Sequence, residues 1–97
     1  MTKLVISNKF KRAFRKFTRR DSQLQAKIEA TLIQMSEDLA NPALGTHKLD
    51  GKLSDLLSCS CGYDCRIVFS IKTEENSEGE EEKVILLLNI GTHDEVY

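Results

Sequence analysis

Two apolar stretches in the second half of the chain, DCRIVFSIK (64–72) and KVILLLNIG (83–91), constrain the fold most. In the first stretch apolar and polar residues alternate, which is the period of a β-strand with one buried face. The second is apolar on both faces and is the strongest strand in the chain. Between them, TEENSEGEEE (73–82) has six acids in ten residues and predicts a loop. The two stretches are therefore expected to pair as a β-hairpin.

The register of this hairpin decides which side chains share a face, because a slip of one residue exchanges the two faces. The preferred register pairs Lys72 with Lys83 and gives one continuous apolar face, with the pairs Ile71–Val84, Phe69–Leu86 and Ile67–Leu88. A slip of one residue gives two acceptable pairs and one poor pair, namely Ile71–Ile85, Phe69–Leu87 and Ile67–Asn89. The preferred register also places Asn89, Gly91 and His93 on the face that carries Arg66.

The first half of the chain predicts a short strand and two helices. KLVIS (3–7) is the strand candidate, and Ser7 or Asn8 can cap the helix that follows. That helix has an aromatic face with a basic remainder, its rings being Phe10, Phe14 and Phe17. The second helix begins at Asp21 or Ser22 and ends at Asn41–Pro42. Its apolar stripe consists of Leu24, Ile28, Leu32, Met35 and Leu39.

These elements predict a single α+β domain over residues 1–97. GKLSDLLSCS (51–60) is a further strand candidate, and Gly62–Tyr63 marks a turn. The expected architecture is a small antiparallel β-sheet with an N-terminal helical hairpin packed on one face. No apolar run approaches the ~20 residues that span a bilayer, and the N-terminus has no signal peptide. A cytoplasmic protein without a membrane partner is therefore expected.

The charge is divided between the two parts of the chain. Residues 1–52 carry a net charge of +6 and residues 53–97 a net charge of −7. The first twenty residues hold eight Lys or Arg and no acid. This division indicates a basic surface for a polyanion. A solvated helix face is the other interpretation.

Three cysteines lie close together in CSCGYDC (59–65). An odd number without a secretion signal argues against a disulfide framework, and the spacing differs from the Cys-x-x-Cys of common zinc sites. The expectation is half-buried strand thiols, and the alternative is a metal site completed by a histidine. No cofactor is predicted.

In the preferred register, polar side chains meet on the uncovered face of the sheet. Asp64, Arg66 and His93 share this face, Gly91 leaves space beside them, and Tyr97 follows. Arginine holds phosphates with paired donors, histidine moves protons near neutral pH, and an aromatic ring stacks on bases. Together they predict a site for an RNA phosphodiester. The alternative is an ordinary ion pair between Asp64 and Arg66 beside an exposed histidine.

Four segments give the chain a family resemblance. The basic helical hairpin, HKLDGKL (47–53), GYDCRIVFSI (62–71) and LLLNIGTHDEVY (86–97) resemble the RelE/YafQ-type toxins of the RelE/ParE toxin–antitoxin superfamily. The resemblance implies a small sheet flanked by two N-terminal helices, and a C-terminal helix is expected to be missing because the sequence stops at Tyr97. It also implies a ribosome-dependent endoribonuclease, which cuts mRNA without a metal by attack of a ribose 2′-hydroxyl and so blocks translation. The implied partners are the ribosome, mRNA and a cognate antitoxin.

The resemblance also implies roles for individual residues. His93 is the expected general acid, Arg66 the contact to the scissile phosphate, and Tyr97 a platform that stacks on a base. Asp64 orients a histidine or takes part in proton transfer, and His47 is a base or a phosphate contact. Further RNA contacts are expected from basic residues of the first helix and of the 47–53 segment, namely Arg12, Arg15, Arg19, Lys48 and Lys52.

This chain departs from the family pattern at two places. Ser60 stands where YafQ-like members have a histidine, and His93 occupies the region where RelE-like members carry a second arginine. Two other functions therefore remain open on the same fold. One is a ParE-like toxin that inhibits DNA gyrase, and the other is an inactive relic that still binds an antitoxin.

Overall fold

The computed structural model describes residues 2–49 and 56–97. Its elements follow one another in the order expected for an N-terminal helical pair and a C-terminal set of strands. They are β1 (Lys3–Ile6), α1 (Asn8–Phe17), α2 (Ser22–Glu37), a 3₁₀ turn (Pro42–Leu44), β2 (His47–Lys48), β3 (Leu57–Gly62), β4 (Cys65–Glu75), β5 (Glu81–Gly91) and α3 (His93–Val96).

The five strands form one sheet in the order β1-β5-β4-β3-β2. β2, β3, β4 and β5 pair antiparallel with their neighbours, whereas β1 runs parallel to β5. The predicted α+β class is confirmed, and the parallel pair is a feature that the sequence patterns do not indicate. The strand predicted within residues 51–60 appears as β3, and residues 51–55 lie outside the described part of the chain.

Side-chain caps set the starts of both long helices. The Ser7 hydroxyl accepts a hydrogen bond from the Phe10 N–H at 3.0 Å, and the Asp21 carboxylate accepts one from the Leu24 N–H at 3.0 Å. Each cap satisfies a backbone donor that has no partner inside its helix. α2 ends at Glu37, earlier than predicted. Asn41 does not continue α2 but caps the separate 3₁₀ turn, where its side chain accepts from the Ala43 N–H.

The hydrophobic core lies between the helical pair and one face of the sheet. Phe10, Ile28 and Met35 are buried against sheet residues that include Ile67 and Phe69. The remaining residues of both predicted stripes pack around them, namely Phe14, Phe17, Leu24, Leu32 and Leu39. Both helical stripes are confirmed. Within the described residues, no helix has the length and apolar character needed to cross a membrane.

The preferred hairpin register is wrong. β4 and β5 pair Ile71 with Ile85 and Phe69 with Leu87, which is the alternative register. Leu88 is then an extra residue on β5, and the pairing resumes with Val68 opposite Asn89, and with Ile67 opposite Ile90. This β-bulge removes the one poor pair of the alternative register. Apolar residues therefore face the helices on both sides of the bulge.

The acidic stretch 73–82 is also different from its prediction. β4 continues to Glu75 and β5 begins at Glu81, so only residues 76–80 form the turn. Glu74 lies opposite Glu82, and Glu75 lies opposite Glu81. Like charges directly opposite each other disfavour pairing, but these side chains extend beyond the core, and backbone ladder bonds continue through them. These ends of β4 and β5 were not predicted because the acidic stretch contains no apolar residues.

The cysteines differ from the expected set of free thiols. Cys61 and Cys65 form a disulfide, and their Cα atoms are 5.0 Å apart. The turn between β3 and β4 brings these two positions within the usual range for such a bond. Cys59 is free and fully buried. The three cysteines therefore consist of one disulfide pair within the turn and one free thiol.

The disulfide gives a test of how firmly the β3–β4 turn is closed. In the chain-entropy description, a crosslink around a loop of this size stabilises the fold by about 2 kcal/mol. Cys61→Ser is expected to lower the free energy of unfolding by that amount in oxidising buffer, measured by urea denaturation. The gap between wild type and variant should close in dithiothreitol. Cys59→Ser is the control, whose loss of stability should not depend on the reductant. Equal unfolding of the wild type with and without dithiothreitol would contradict the prediction.

Candidate active site

The face of the sheet opposite the helices carries two of the predicted site residues, His47 and Arg66, in two neighbouring rows. Cross-strand partners share a face. One row contains His47, Ser58 and Val68, on β2, β3 and β4. The next row contains Ser60, Arg66 and Gly91, on β3, β4 and β5. We call this surface the open face.

Arg66 folds its guanidinium onto the β3–β4 turn. Its Nη1 lies 2.8 Å from the Cys65 carbonyl oxygen, 3.3 Å from that of Gly62 and 3.4 Å from Ser60 Oγ. The side chain is half-buried. In the described part of the chain these contacts all use Nη1, so the Nε and Nη2 donors remain for a ligand. A guanidinium held in this way presents two parallel N–H groups, which is the geometry that suits a phosphate.

Asp64 occupies the turn itself, with a φ of 49°. Aspartate is among the few non-glycine residues that adopt this left-handed conformation at low cost. Its Oδ1 accepts a hydrogen bond from the His93 backbone N–H at 3.0 Å. The predicted pairing of this carboxylate with a histidine is therefore made through the main chain, and no Asp64–Arg66 ion pair is present among the described contacts.

The C-terminal residues form the helix α3, so the prediction of a missing C-terminal helix is wrong. Thr92 is the N-cap, and its hydroxyl accepts from the Glu95 N–H while Glu95 Oε1 accepts from the Thr92 N–H at 2.9 Å. These reciprocal bonds form a capping box. The hydrogen bond from the Thr92 backbone, followed by that from its side chain and by the charge of Lys16, lowers the pKa of Glu95. The stabilisation by this carboxylate is present at neutral pH and is lost as the pH falls through the lowered pKa.

Gly91 does not leave an empty space for a ligand, because Glu95 fills it. A Cβ added at Gly91 would lie 3.1 Å from Glu95 Oε1 and 3.2 Å from Glu95 Cβ. The absence of a side chain at residue 91 therefore lets α3 approach the end of β5. This requirement was not apparent from the sequence, where Gly91 was predicted to leave space beside the site residues, and that prediction is wrong.

His93 and Tyr97 lie together at the edge of the open face. Their rings are perpendicular, with centroids 4.6 Å apart. The His93 side chain is 62% exposed, and its Nδ1 lies 3.6 Å from Asp94 Oδ1. The Tyr97 hydroxyl forms a hydrogen bond with Ser58 Oγ on β3. The imidazole is therefore open to solvent while its aromatic neighbour is attached to the sheet.

His47 reaches the open face from the opposite side. It lies on the edge strand β2, directly across from Ser58, and its Nδ1 is 3.1 Å from the Gly45 carbonyl oxygen. β2 is two strand spacings, about 10 Å, from β4. His47 and Arg66 therefore flank the same surface without touching.

The predicted RNA-binding bases are spread over the molecule. Lys48 pairs with Leu57, which packs against the core, so strand alternation turns Lys48 away from the open face. Lys52 lies outside the described residues. Arg15 and Arg19 line a groove between α1 and α2, and Arg12 is exposed on the outer side of α1. The structure therefore places Asp64, Arg66, His93 and Tyr97 at one end of the open face, with His47 across the same face on β2, and leaves these bases apart.

The free cysteine, Cys59, is not part of the open face. Burial raises the pKa of the Cys59 thiol to about 12, so the thiol stays protonated at neutral pH. It points toward the core, where its Sγ lies 3.7 Å from Met35 Sδ. No group of three metal-binding side chains forms among residues 2–49 and 56–97. The open face instead offers an arginine, two imidazoles and a carboxylate, which are groups suited to phosphate binding and proton transfer.

No model of a protein family and no curated protein sequence matches the chain, whereas several solved structures share its fold. YafQ from E. coli strain BL21(DE3) superimposes with a TM-score of 0.76 at 9% identity, covering 100% of this chain and 99% of YafQ. A YoeB/ParE toxin from Agrobacterium tumefaciens gives 0.73 at 16% identity, covering 95% and 99%. The E. coli DinJ-YafQ toxin-antitoxin complex gives 0.74 at 10% identity, covering 99% and 97%. The fold of this chain is therefore that of the RelE/YafQ-type toxins, as the resemblance implied.

The contact between Gly91 and Glu95 gives a test of how α3 is held. Gly91→Ala places a methyl group against the side chain of Glu95, and overpacking of this kind costs about 1–3 kcal/mol. Because α3 is terminal, we expect it to undock while the sheet stays folded. Hydrogen exchange of the His93 amide should rise roughly tenfold or more, with the Leu87 amide as the internal control. Unchanged exchange at His93 would contradict this account of the glycine.

Proposed function

We propose that this chain is the toxin of a type II toxin–antitoxin system and an endoribonuclease that cuts mRNA on the ribosome. The observation that carries the proposal is the placement of Arg66 and the His93-bearing helix at one end of the open face, where Asp64, in the turn before Arg66, accepts a hydrogen bond from the His93 backbone N–H. The shared fold with YafQ and YoeB/ParE toxins supports the same function. The proposal requires no metal, since its steps use only protein side chains and the RNA itself.

The reaction begins with the ribose 2′-hydroxyl next to the scissile phosphate. Its oxygen forms a bond to phosphorus, and the bond between phosphorus and the 5′-oxygen breaks, which leaves a 2′,3′-cyclic phosphate and a 5′-hydroxyl. The five-coordinate transition state carries extra negative charge. The Nε and Nη2 donors of Arg66 are suited to stabilise that charge, because the carbonyl contacts to Nη1 hold the guanidinium in place.

Two proton transfers accompany these bond changes. His93 donates a proton to the departing 5′-oxygen, and its exposure leaves the imidazole accessible to RNA. His47 accepts the proton of the 2′-hydroxyl from the other side of the open face. Asp64 holds the backbone of His93 and so fixes the position of the acid. The ribosome orients the message, which supplies part of the rate through alignment of the attacking and leaving oxygens.

Two observations support the two alternative functions, a gyrase inhibitor and an inactive relic. A solved neighbour carries the name YoeB/ParE, which leaves inhibition of DNA gyrase as a second candidate. Ser60, at the position of a family histidine, lies beside Arg66 and accepts a long contact from its Nη1. A serine cannot transfer protons near neutral pH as an imidazole does. An inactive relic that still binds an antitoxin is therefore the third candidate.

The deciding experiment mixes the purified protein with programmed ribosomes and labelled mRNA. We expect cleavage that leaves 5′-hydroxyl ends, and His93→Ala should reduce its rate by about 10²–10⁴-fold, the usual contribution of general acid–base catalysis. Arg66→Ala should also reduce it strongly. Lys72→Ala is the matched control, a cation on the same strand and face as Arg66 but six residues further along, and it should retain the wild-type rate.

Other outcomes of this assay point to the other functions. Intact message together with blocked DNA supercoiling by gyrase would favour the ParE-like reading. Intact message with no effect on gyrase would favour the relic. Equal losses in Arg66→Ala and Lys72→Ala would remove Arg66 from the site.

The antitoxin is expected to cover the groove between α1 and α2. The groove has an apolar floor that includes Phe10, Phe14 and Leu32. Its rim carries four cations against one acid, the cations being Lys11, Arg15, Arg19 and Arg20. This combination fits an acidic segment with apolar anchors. YafQ, which shares the fold of this chain, forms a toxin–antitoxin complex with DinJ. That complex supports a protein partner of this kind.

Charge reversal tests this docking surface. Arg15→Glu is expected to weaken binding of the cognate antitoxin and to reduce the salt dependence of its affinity, because a rim cation is lost. Arg12→Glu is the control, since it makes the same charge change on the outer side of the same helix. The measurement is titration calorimetry at two salt concentrations. Equal weakening by both variants would show only a general effect of charge.

A further inference from the structure

Ser58 is a polar residue in an unusual place. It is fully buried on the open face, in the row between His47 and Val68. A buried hydroxyl is costly unless it has a hydrogen-bond partner. The partner of Ser58 is the hydroxyl of Tyr97, 39 residues further along the chain. Because Ser58 has no exposed surface, its side chain cannot reach a bound RNA.

Among the described residues, two side-chain hydrogen bonds attach α3 and Tyr97 to other elements, and the Ser58–Tyr97 pair is one of them. A helix of four residues is too short to be stable by itself. At its N-terminal end, the His93 N–H donates to Asp64, and at its C-terminal end the phenol of Tyr97 reaches the sheet. His93 therefore lies between two tethers. One of these hydrogen bonds reaches the β3–β4 turn at Asp64, and the other reaches the interior of β3 at Ser58.

The second attachment bears directly on the imidazole. The Tyr97 ring stands perpendicular to the His93 ring at 4.6 Å, a common favourable arrangement of aromatic pairs. With its hydroxyl bound to Ser58, the phenol cannot rotate away without breaking that hydrogen bond. It therefore forms a fixed wall beside His93.

We propose that Ser58 and Tyr97 are positioning residues, whose hydrogen bond holds the His93 imidazole where it can protonate the leaving oxygen. This inference rests on the proposed nuclease function and assigns Tyr97 a different role from stacking on a base. The two roles make different demands on the phenol. Positioning needs the hydroxyl, whereas stacking needs only the ring.

Three variants separate these roles in the ribosome assay. Tyr97→Phe keeps the ring and removes the hydroxyl, and Ser58→Ala removes the partner at nearly constant volume. Each is expected to lower kcat roughly tenfold or more, as misplacement of a catalytic group does, with KM unchanged. The double variant should be no slower than either single one, because both remove the same bond. A wild-type kcat in Tyr97→Phe, or a change confined to KM, would overturn the positioning role.

A spectroscopic measurement tests the same claim without RNA. The NMR shift of the His93 ring protons depends on the nearby Tyr97 ring, so Ser58→Ala and Tyr97→Phe should both move it. Ser70→Ala is the control, because Ser70 lies on the same face of β4 as Arg66 but away from α3. A shift unchanged in all three variants would overturn the inference. A moved shift in a protein that cuts no message would support the positioning of His93 and refute the nuclease.

Discussion

The pairing of β4 with β5, interrupted by one extra residue at Leu88, is the constraint on which the rest of the structure depends. Below the bulge, Phe69 and Leu87 face the helices, and above it Ile67 and Ile90 do so. An uninterrupted ladder would turn the end of β5 over and bring Asn89 into the core. Burying an amide there without partners would be unfavourable. The same extra residue sets Gly91 beside Arg66, so packing and site geometry have one origin.

The site in turn depends on a short helix with little stability of its own. α3 is stabilised by the capping box, by the carboxylate of Asp64 and by the phenol at residue 97. These contacts involve the β3–β4 turn, the end of β5 and the interior of β3. The arginine and the histidine are therefore connected through the backbone and through neighbouring side chains. Direct contact between them is not required for a shared substrate.

Local signals in the sequence predicted the local structure well. The caps at Ser7 and Asp21 and the apolar stripes of both helices depend on residues within a few positions of one another, and each was confirmed. The strand ends at Glu75 and Glu81 were missed, because an acidic stretch has no apolar period, although the neighbouring ladder extends through it. The Cys61–Cys65 pair was missed because the total number of cysteines says nothing about where a turn brings two of them.

The features that define the site were harder to predict, for a physical reason. The register depends on which whole set of pairs packs best, and a bulge changes that choice at a single residue. α3 depends on Asp64, which lies 29 positions before His93. Its own sequence supplies the capping box of Thr92 and Glu95, but a helix of four residues also needs the tertiary contacts to Asp64 and Ser58. The residue types indicated that polar groups gather on the open face. The contacts of each group, such as that of Asp64 with the His93 backbone, became clear only from the folded structure.

The parallel pairing of β1 with β5 has a consequence for how the chain acquires its structure during synthesis. β1 pairs Lys3 with Val84 and Ile6 with Leu87, so its sheet neighbour β5 is synthesised more than seventy residues later. Contacts so distant in sequence form slowly, because a long loop must close first. A nascent chain therefore carries an unpaired strand beside its basic helix until β5 has left the ribosome. The complete sheet, and with it the open face, can therefore form only after β5 has been synthesised and released from the exit tunnel.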